Sequence, residues 1–144
     1  ISHGADTLNL TLKSLLLVID KNVRLNVIDK LCKKIEKISK SKKNILIAGH
    51  SLGGFAINLC IKENPNIKGD YISYGSYTPR KDKDFAKNKV RKHLYENDFF
   101  ANNLLSSRKK RNMLIYRNKF LLNSHSLKNF LNFEQMNKDL IGIS

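Results

Sequence analysis

Residues 45–59 read ILIAGHSLGGFAINL, and the fold class turns on how this stretch is parsed. Ile45, Leu46, Ile47 and Ala48 form an unbroken apolar run, the pattern of a strand buried on both faces. Gly49, His50, Ser51, Leu52, Gly53 and Gly54 follow, and then Phe55, Ile57, Leu59, Cys60 and Ile61 fit a mostly buried helix that the break Glu63-Asn64-Pro65-Asn66 stops. The turn between strand and helix has the form Gly-x-Ser-x-Gly, the pattern of a nucleophile elbow. So tight a turn forces Ser51 into a strained backbone conformation, while Gly49 and Gly53 leave out side chains that would strike the neighbouring strand and helix. The Ser51 hydroxyl is thereby pushed out at the carboxyl end of the sheet, where open α/β folds bind ligands. The Leu52 amide, first in the helix, is placed to hold an oxyanion with the help of the helix dipole. A phosphate-binding loop would want Gly-Lys-Ser/Thr, which the stretch lacks.

Working outward, Ile28, Leu31, Cys32, Ile35 and Ile38 recur at helical steps with lysines between them, which predicts an amphipathic helix from Asn22. Downstream, Asp70–Tyr74 reads as a second strand closed by Gly75, and Thr78–Lys89 as a polar loop. Val90–Tyr95 reads as a third strand, its charge alternation placing it at an edge. Asn112–Tyr116 is a fourth, with Asn118 and Lys119 as a turn before Phe120–Leu122. Leu127, Phe130, Leu131 and Phe133 have helical spacing and are expected to pack on the sheet. Helices alternating with buried strands predict an α/β fold, one domain over residues 1–144.

The chain of 144 residues is 41% hydrophobic and 8% aromatic, enough for a packed core, and carries a formal charge of +15. The excess is mostly lysine, 21 against 6 arginines, beside 17 asparagines. An AT-rich coding sequence gives that bias without selection for binding, so the charge is read first as a solvated surface. Nucleic acid is not the expected partner, because a zinc pattern, an aromatic stacking motif and a clustered arginine face are all missing. Cys32 and Cys60 lie inside apolar helical patterns rather than at metal-like spacing, and are expected to be buried thiols. The longest apolar run, Leu15–Ile19, falls far short of the roughly 20 residues of a membrane span. With no signal peptide visible, the expected setting is intracellular or membrane-peripheral.

A serine nucleophile needs a base to take its proton, and the base needs an acid to fix its tautomer. The candidate bases are His3, His50, His93 and His125. His50 adjoins Ser51, so its side chain is expected to point away, and His93 falls within a strand. In the α/β-hydrolase order of serine, acid, histidine, His125, the last of the four, leaves room for an acid between. Among Asp70, Asp82, Asp84 and Asp98, with Glu63 and Glu96 as lesser options, Asp98 is favoured because it follows the Val90–Tyr95 strand. Asp82 and Asp84 lie in a lysine-rich loop.

ILIAGHSLGGFAINL resembles the elbow of the class 3 lipases, the fungal-type triacylglycerol lipase family. Tyr71–Arg80 is similar to the family's strand ending in Gly-x-Pro-Arg, Asn97-Asp98 stands where the family places its acid, and Asn123–Leu127 resembles the segment holding its histidine. The resemblance implies an α/β-hydrolase-like core with a mostly parallel sheet flanked by helices. It implies a carboxylic ester hydrolase acting on acylglycerols or phospholipids, with Ser51, His125 and Asp98 catalytic and no metal or organic cofactor. A lysine-rich surface would suit contact with anionic membranes. The family's oxyanion segment, Arg-Gly-Ser/Thr, is replaced by His3-Gly4-Ala5, so Ala5 offers a backbone amide but no hydroxyl. Thr7–Val18 reads equally as a lid or as a core helix. The chain begins almost at the oxyanion segment, as in a trimmed family member or one whose N-terminal part is not included. The competing reading is a catalytically silent lipase-like module that binds lipid or protein. A thioesterase, acyltransferase or peptidase would use the same machinery.

Overall fold

The computed structural model describes residues 26–77, 88–98, 101, 112–121 and 123–143. Ala5, the Thr7–Val18 stretch, Asp82 and Asp84 lie outside them, as does the predicted helix start at Asn22.

The amphipathic pattern forms helix α1, Asn26–Ser41. Ile28 and Ile35 are buried, and Lys30, Lys33, Lys34, Lys37 and Lys40 line its exposed side. Strand β1, Leu46–His50, leads through Ser51 into helix α2, Leu52–Glu63. The helix is apolar almost all round, so it is covered on most sides: by α1, and by β1 and strand β2, Asp70–Tyr74. Ile35, Ile57, Ile61, Ile67, Tyr71 and Val90 fill the space between, and each such buried aliphatic side chain contributes on the order of 1.5–3 kcal/mol.

Strands β3, Arg91–Tyr95, and β4, Met113–Tyr116, continue the sheet. Helices α3, Lys128–Leu131, and α4, Phe133–Asp139, precede strand β5, Leu140–Ile143. The sheet runs β1-β2-β3-β4-β5, with β1 to β4 parallel and β5 antiparallel to β4. Side chains alternate across it. Tyr71 meets the α1–α2 layer, whereas Tyr95 and Tyr116 pack with Phe130 and Met136 of α3 and α4, joined by Tyr74. The protein is therefore α/β, a mixed and mostly parallel sheet with helices on both faces.

Several expectations need correcting. Cys32 and Cys60 are bonded to each other, with Cα atoms 5.2 Å apart. Each lies on the apolar side of its own helix, and the α1–α2 packing brings those two sides together. β3 is interior, between β2 and β4. Its charges misled because Arg91 is exposed while Lys92 is fully buried, its ammonium donating to Asn88 Oδ1 at 2.8 Å and Val90 O at 2.9 Å. β1 is instead one of the two outermost described strands, and Leu46 is 65% exposed rather than buried. The turn expected at Asn118 and Lys119 falls at residues 119–120, where Asn118 Oδ1 accepts the Phe120 N–H. The C-terminal helical spacing resolves into two helices divided at Asn132, whose side chain accepts from the Gln135 N–H and caps α4. The fifth strand, four residues long with a glycine inside it, is too short for periodicity to reveal.

Candidate active site

Parallel pairing puts His50 opposite Tyr74, and Tyr74 opposite His93. The carboxyl ends of β1, β2 and β3 therefore share one edge, and the turns that follow them meet there. Ser51 has φ 52° and ψ −119°, a positive φ that costs a residue with a side chain on the order of 1–3 kcal/mol. The surroundings impose it. The Ser51 N–H donates to Tyr74 O at 3.0 Å, and its carbonyl accepts the Phe55 N–H at 3.0 Å. The chain passes so close to itself that a Cβ at Gly49 would lie 2.6 Å from the Gly53 carbonyl carbon, and one at Gly54 would lie 2.8 Å from Ser76 Cβ.

Ser51 Oγ lies 2.8 Å from His125 Nε2, and His125 Nδ1 lies 2.8 Å from Asp98 Oδ2. A carboxylate only accepts, so Nδ1 carries the proton toward Asp98, and Nε2 is left to accept from the Ser51 hydroxyl. The other oxygen, Asp98 Oδ1, accepts the Ala101 N–H at 3.0 Å. Asp98 is fully buried, while the His125 side chain is 28% exposed, so the acid is sealed and the imidazole is reachable. Such a series can draw a proton from Ser51 onto Nε2 while Asp98 stabilises the resulting imidazolium. The Leu52 N–H belongs to the first turn of α2, whose amides have no partner within the helix.

Of the other sequence candidates, Asp70 begins β2 at the opposite end of the strand. Glu63 ends α2. Glu96 pairs with Arg117 through both guanidinium contacts, fastening the turn after β3 to the residue after β4. His93 lies on the α3 face of the sheet with Nδ1 2.6 Å from Tyr116 Oη, and burial, with Arg91 nearby, pushes its imidazole down to about 4. His3 lies outside the described residues.

The structure adds three residues that the sequence reading did not assign to the site. Gly75, expected only to end a strand, has φ 56°, and a Cβ there would stand 3.3 Å from Asp98 Oδ2 and 3.5 Å from His125 Nδ1. His50 does not point away from the site: its Nε2 donates to His125 O at 2.6 Å, and the two rings lie 5.0 Å apart. Ser124 Oγ donates to Asn97 O at 2.8 Å. The adjacency of His50 to Ser51 and of Ser124 to His125 was the available signal, but neither partner lies near in sequence. Among the described residues no cluster of three or more His, Cys, Asp or Glu side chains is arranged to hold a metal, and no helix is long and apolar enough to cross a membrane.

Comparison with known protein families finds no family model that matches the chain, and comparison with curated proteins finds no match either.

Proposed function

We propose that the protein is a serine hydrolase of the α/β-hydrolase type, resembling the class 3 lipases and cleaving carboxylic esters of lipids through an acyl-enzyme. The observation that carries this reading is the continuous hydrogen-bonded series Ser51–His125–Asp98, its serine on a strained elbow at the carboxyl ends of the parallel strands β1 to β3. Ser51 Oγ attacks the ester carbonyl carbon as His125 Nε2 takes the hydroxyl proton. The tetrahedral oxyanion forms beside the Leu52 N–H, and the family resemblance assigns the second amide to Ala5. Collapse breaks the carbon–oxygen bond to the leaving alcohol, which receives the proton from His125. Water, deprotonated by His125, then attacks the acyl carbon, and collapse breaks the bond to Ser51 Oγ, which takes that proton back from His125 as the carboxylic acid leaves. The Cys32–Cys60 bond favours an oxidising compartment over the intracellular setting expected from the sequence.

Fluorophosphonate labelling of the full chain tests the reading. Wild type is expected to label, Ser51→Ala not at all, and His125→Ala far more slowly. A panel of p-nitrophenyl esters and phospholipids then sorts the leaving groups. Absence of labelling in folded wild-type protein would overturn the hydrolase reading and leave the silent lipid-binding module.

A further inference from the structure

Ser51, His125 and Asp98 come from three separate parts of the fold: the β1–α2 turn, the segment before α3, and the turn after β3. Of the two hydrogen bonds among them, only His125–Asp98 persists throughout a reaction. Once Ser51 is acylated its Oγ carries no proton to donate, and the Ser51–His125 bond is gone at the moment His125 must activate water. Alignment has to come from bonds that the chemistry leaves intact.

Besides the Asp98 contact, two such bonds reach the His125 segment from outside it. His50, the residue before Ser51, donates from Nε2 to the carbonyl of His125 itself, since a carbonyl can only accept. Ser124, the residue before His125, donates to the carbonyl of Asn97, the residue before Asp98. A second tier of hydrogen bonds thus runs beside the first, one position back along the chain at each of the three reacting residues. His50 reaches this place because it alternates with Gly49 on β1, which turns its side chain to the sheet face that α3 covers. Its ring packs between His125, at 5.0 Å, and Phe130, at 6.2 Å. The segment's other hydrogen bonds include local ones, Ser126 N–H to Asn123 O and Asn129 Nδ2 to Asn123 O, which shape the turn without anchoring it to the sheet.

We propose that His50 and Ser124 are positioning residues that clamp the His125 segment, one to the strand bearing the nucleophile and the other to the turn bearing the acid, and so keep the imidazole aligned through both halves of the reaction. This rests on the serine-hydrolase reading. Burial, the largest influence on His50, holds its imidazole below the ordinary value, so at neutral pH it donates as an uncharged ring and does not oppose the charge that His125 gains.

The test compares His50→Gln, His50→Leu and Ser124→Ala in the full chain. Gln places an amide N–H about as far from its Cα as the histidine Nε2, whereas Leu removes the donor. Two readouts are taken beside thermal melting: the fluorophosphonate labelling rate, and the far-downfield proton resonance of His125 Nδ1–H on Asp98. A displaced reacting group costs up to about 100-fold, so His50→Leu and Ser124→Ala are expected to slow labelling by about tenfold or more, with the resonance broadened or lost. His50→Gln is expected to restore most of the rate and the resonance. Unchanged labelling and resonance in folded His50→Leu and Ser124→Ala would overturn the clamp, as would a His50→Gln protein no better than His50→Leu. If wild type does not label, the hydrolase reading fails while the resonance still decides the clamp. A resonance that survives both donor losses then overturns it, and one lost with the donor and restored by Gln supports it.

Discussion

Position 75 shows how narrowly the His125–Asp98 pair is built. Gly75 takes φ 56° and brings the end of β2 against Asp98, His125 and Phe130 with no side chain between. Any other L-residue there meets backbone strain of about 1–2 kcal/mol. A β-branched one would also push its methyl groups into the pair. Gly75→Val is therefore expected to slow fluorophosphonate labelling on the order of 100-fold, more than Gly75→Ala, with thermal melting lowered in both. Asp98 meets a different constraint, since both of its oxygens accept. An amide at that position presents N–H to one of the two donors, so Asp98→Asn is expected to lower turnover on the order of 10³–10⁴-fold while leaving ester KM little changed. Ser51, Asp98 and His125, which the fold brings into hydrogen-bond contact, could be picked out together because the elbow is contiguous and chain order narrows the rest. His50, Gly75 and Ser124 could not, because each acts on an atom that the chain reaches only by folding.

Among the elements, the α1–α2 pair carries the stronger lesson. Both helices were predicted from apolar periodicity, and periodicity placed both cysteines on apolar sides, yet it holds no information about which side meets which. The Cys32–Cys60 bond closes a loop with a sequence separation of 28, and the chain-entropy account assigns such a loop about 3–4 kcal/mol. Replacing both cysteines by alanine is expected to lower stability by roughly that amount in denaturant unfolding, and reductant is expected to reproduce the loss in wild type but not in the variant. Because α2 begins at the elbow, the same loss should loosen Ser51 only indirectly, and labelling of the folded variant should stay within about threefold of wild type. β3 shows the converse. Arg91-Lys92-His93 reads as a solvated edge, but the fold buries Lys92 and gives its ammonium carbonyl partners, a context that hydropathy cannot register.

For the molecule as a whole, the face of the sheet opposite α2 is an aromatic layer of Tyr74, His93, Tyr95, Tyr116 and Phe130. It ties acid tolerance to His93. The unfolded chain takes up the His93 proton near 6.5, and the folded one only near 4. Between those values the unfolded state binds more protons, so the stability is fully present above about pH 6.5 and is lost as pH falls toward 4. His50, also lowered, acts in the same direction. Urea unfolding at pH 7.5 and 4.5 is expected to differ by on the order of 2–3 kcal/mol from His93 alone, and His93→Phe should remove that part of the slope. The sequence by itself determined the strand–elbow–helix unit, the α/β alternation and the residues proposed to react, because these are written in local periodicity, glycine spacing and chain order. Only the tertiary structure decided the disulfide, the interior place of β3, the antiparallel β5 and the second tier of hydrogen bonds around His125. Each of these depends on which surfaces meet across the sheet, and pairing between distant segments leaves no period in the chain to read.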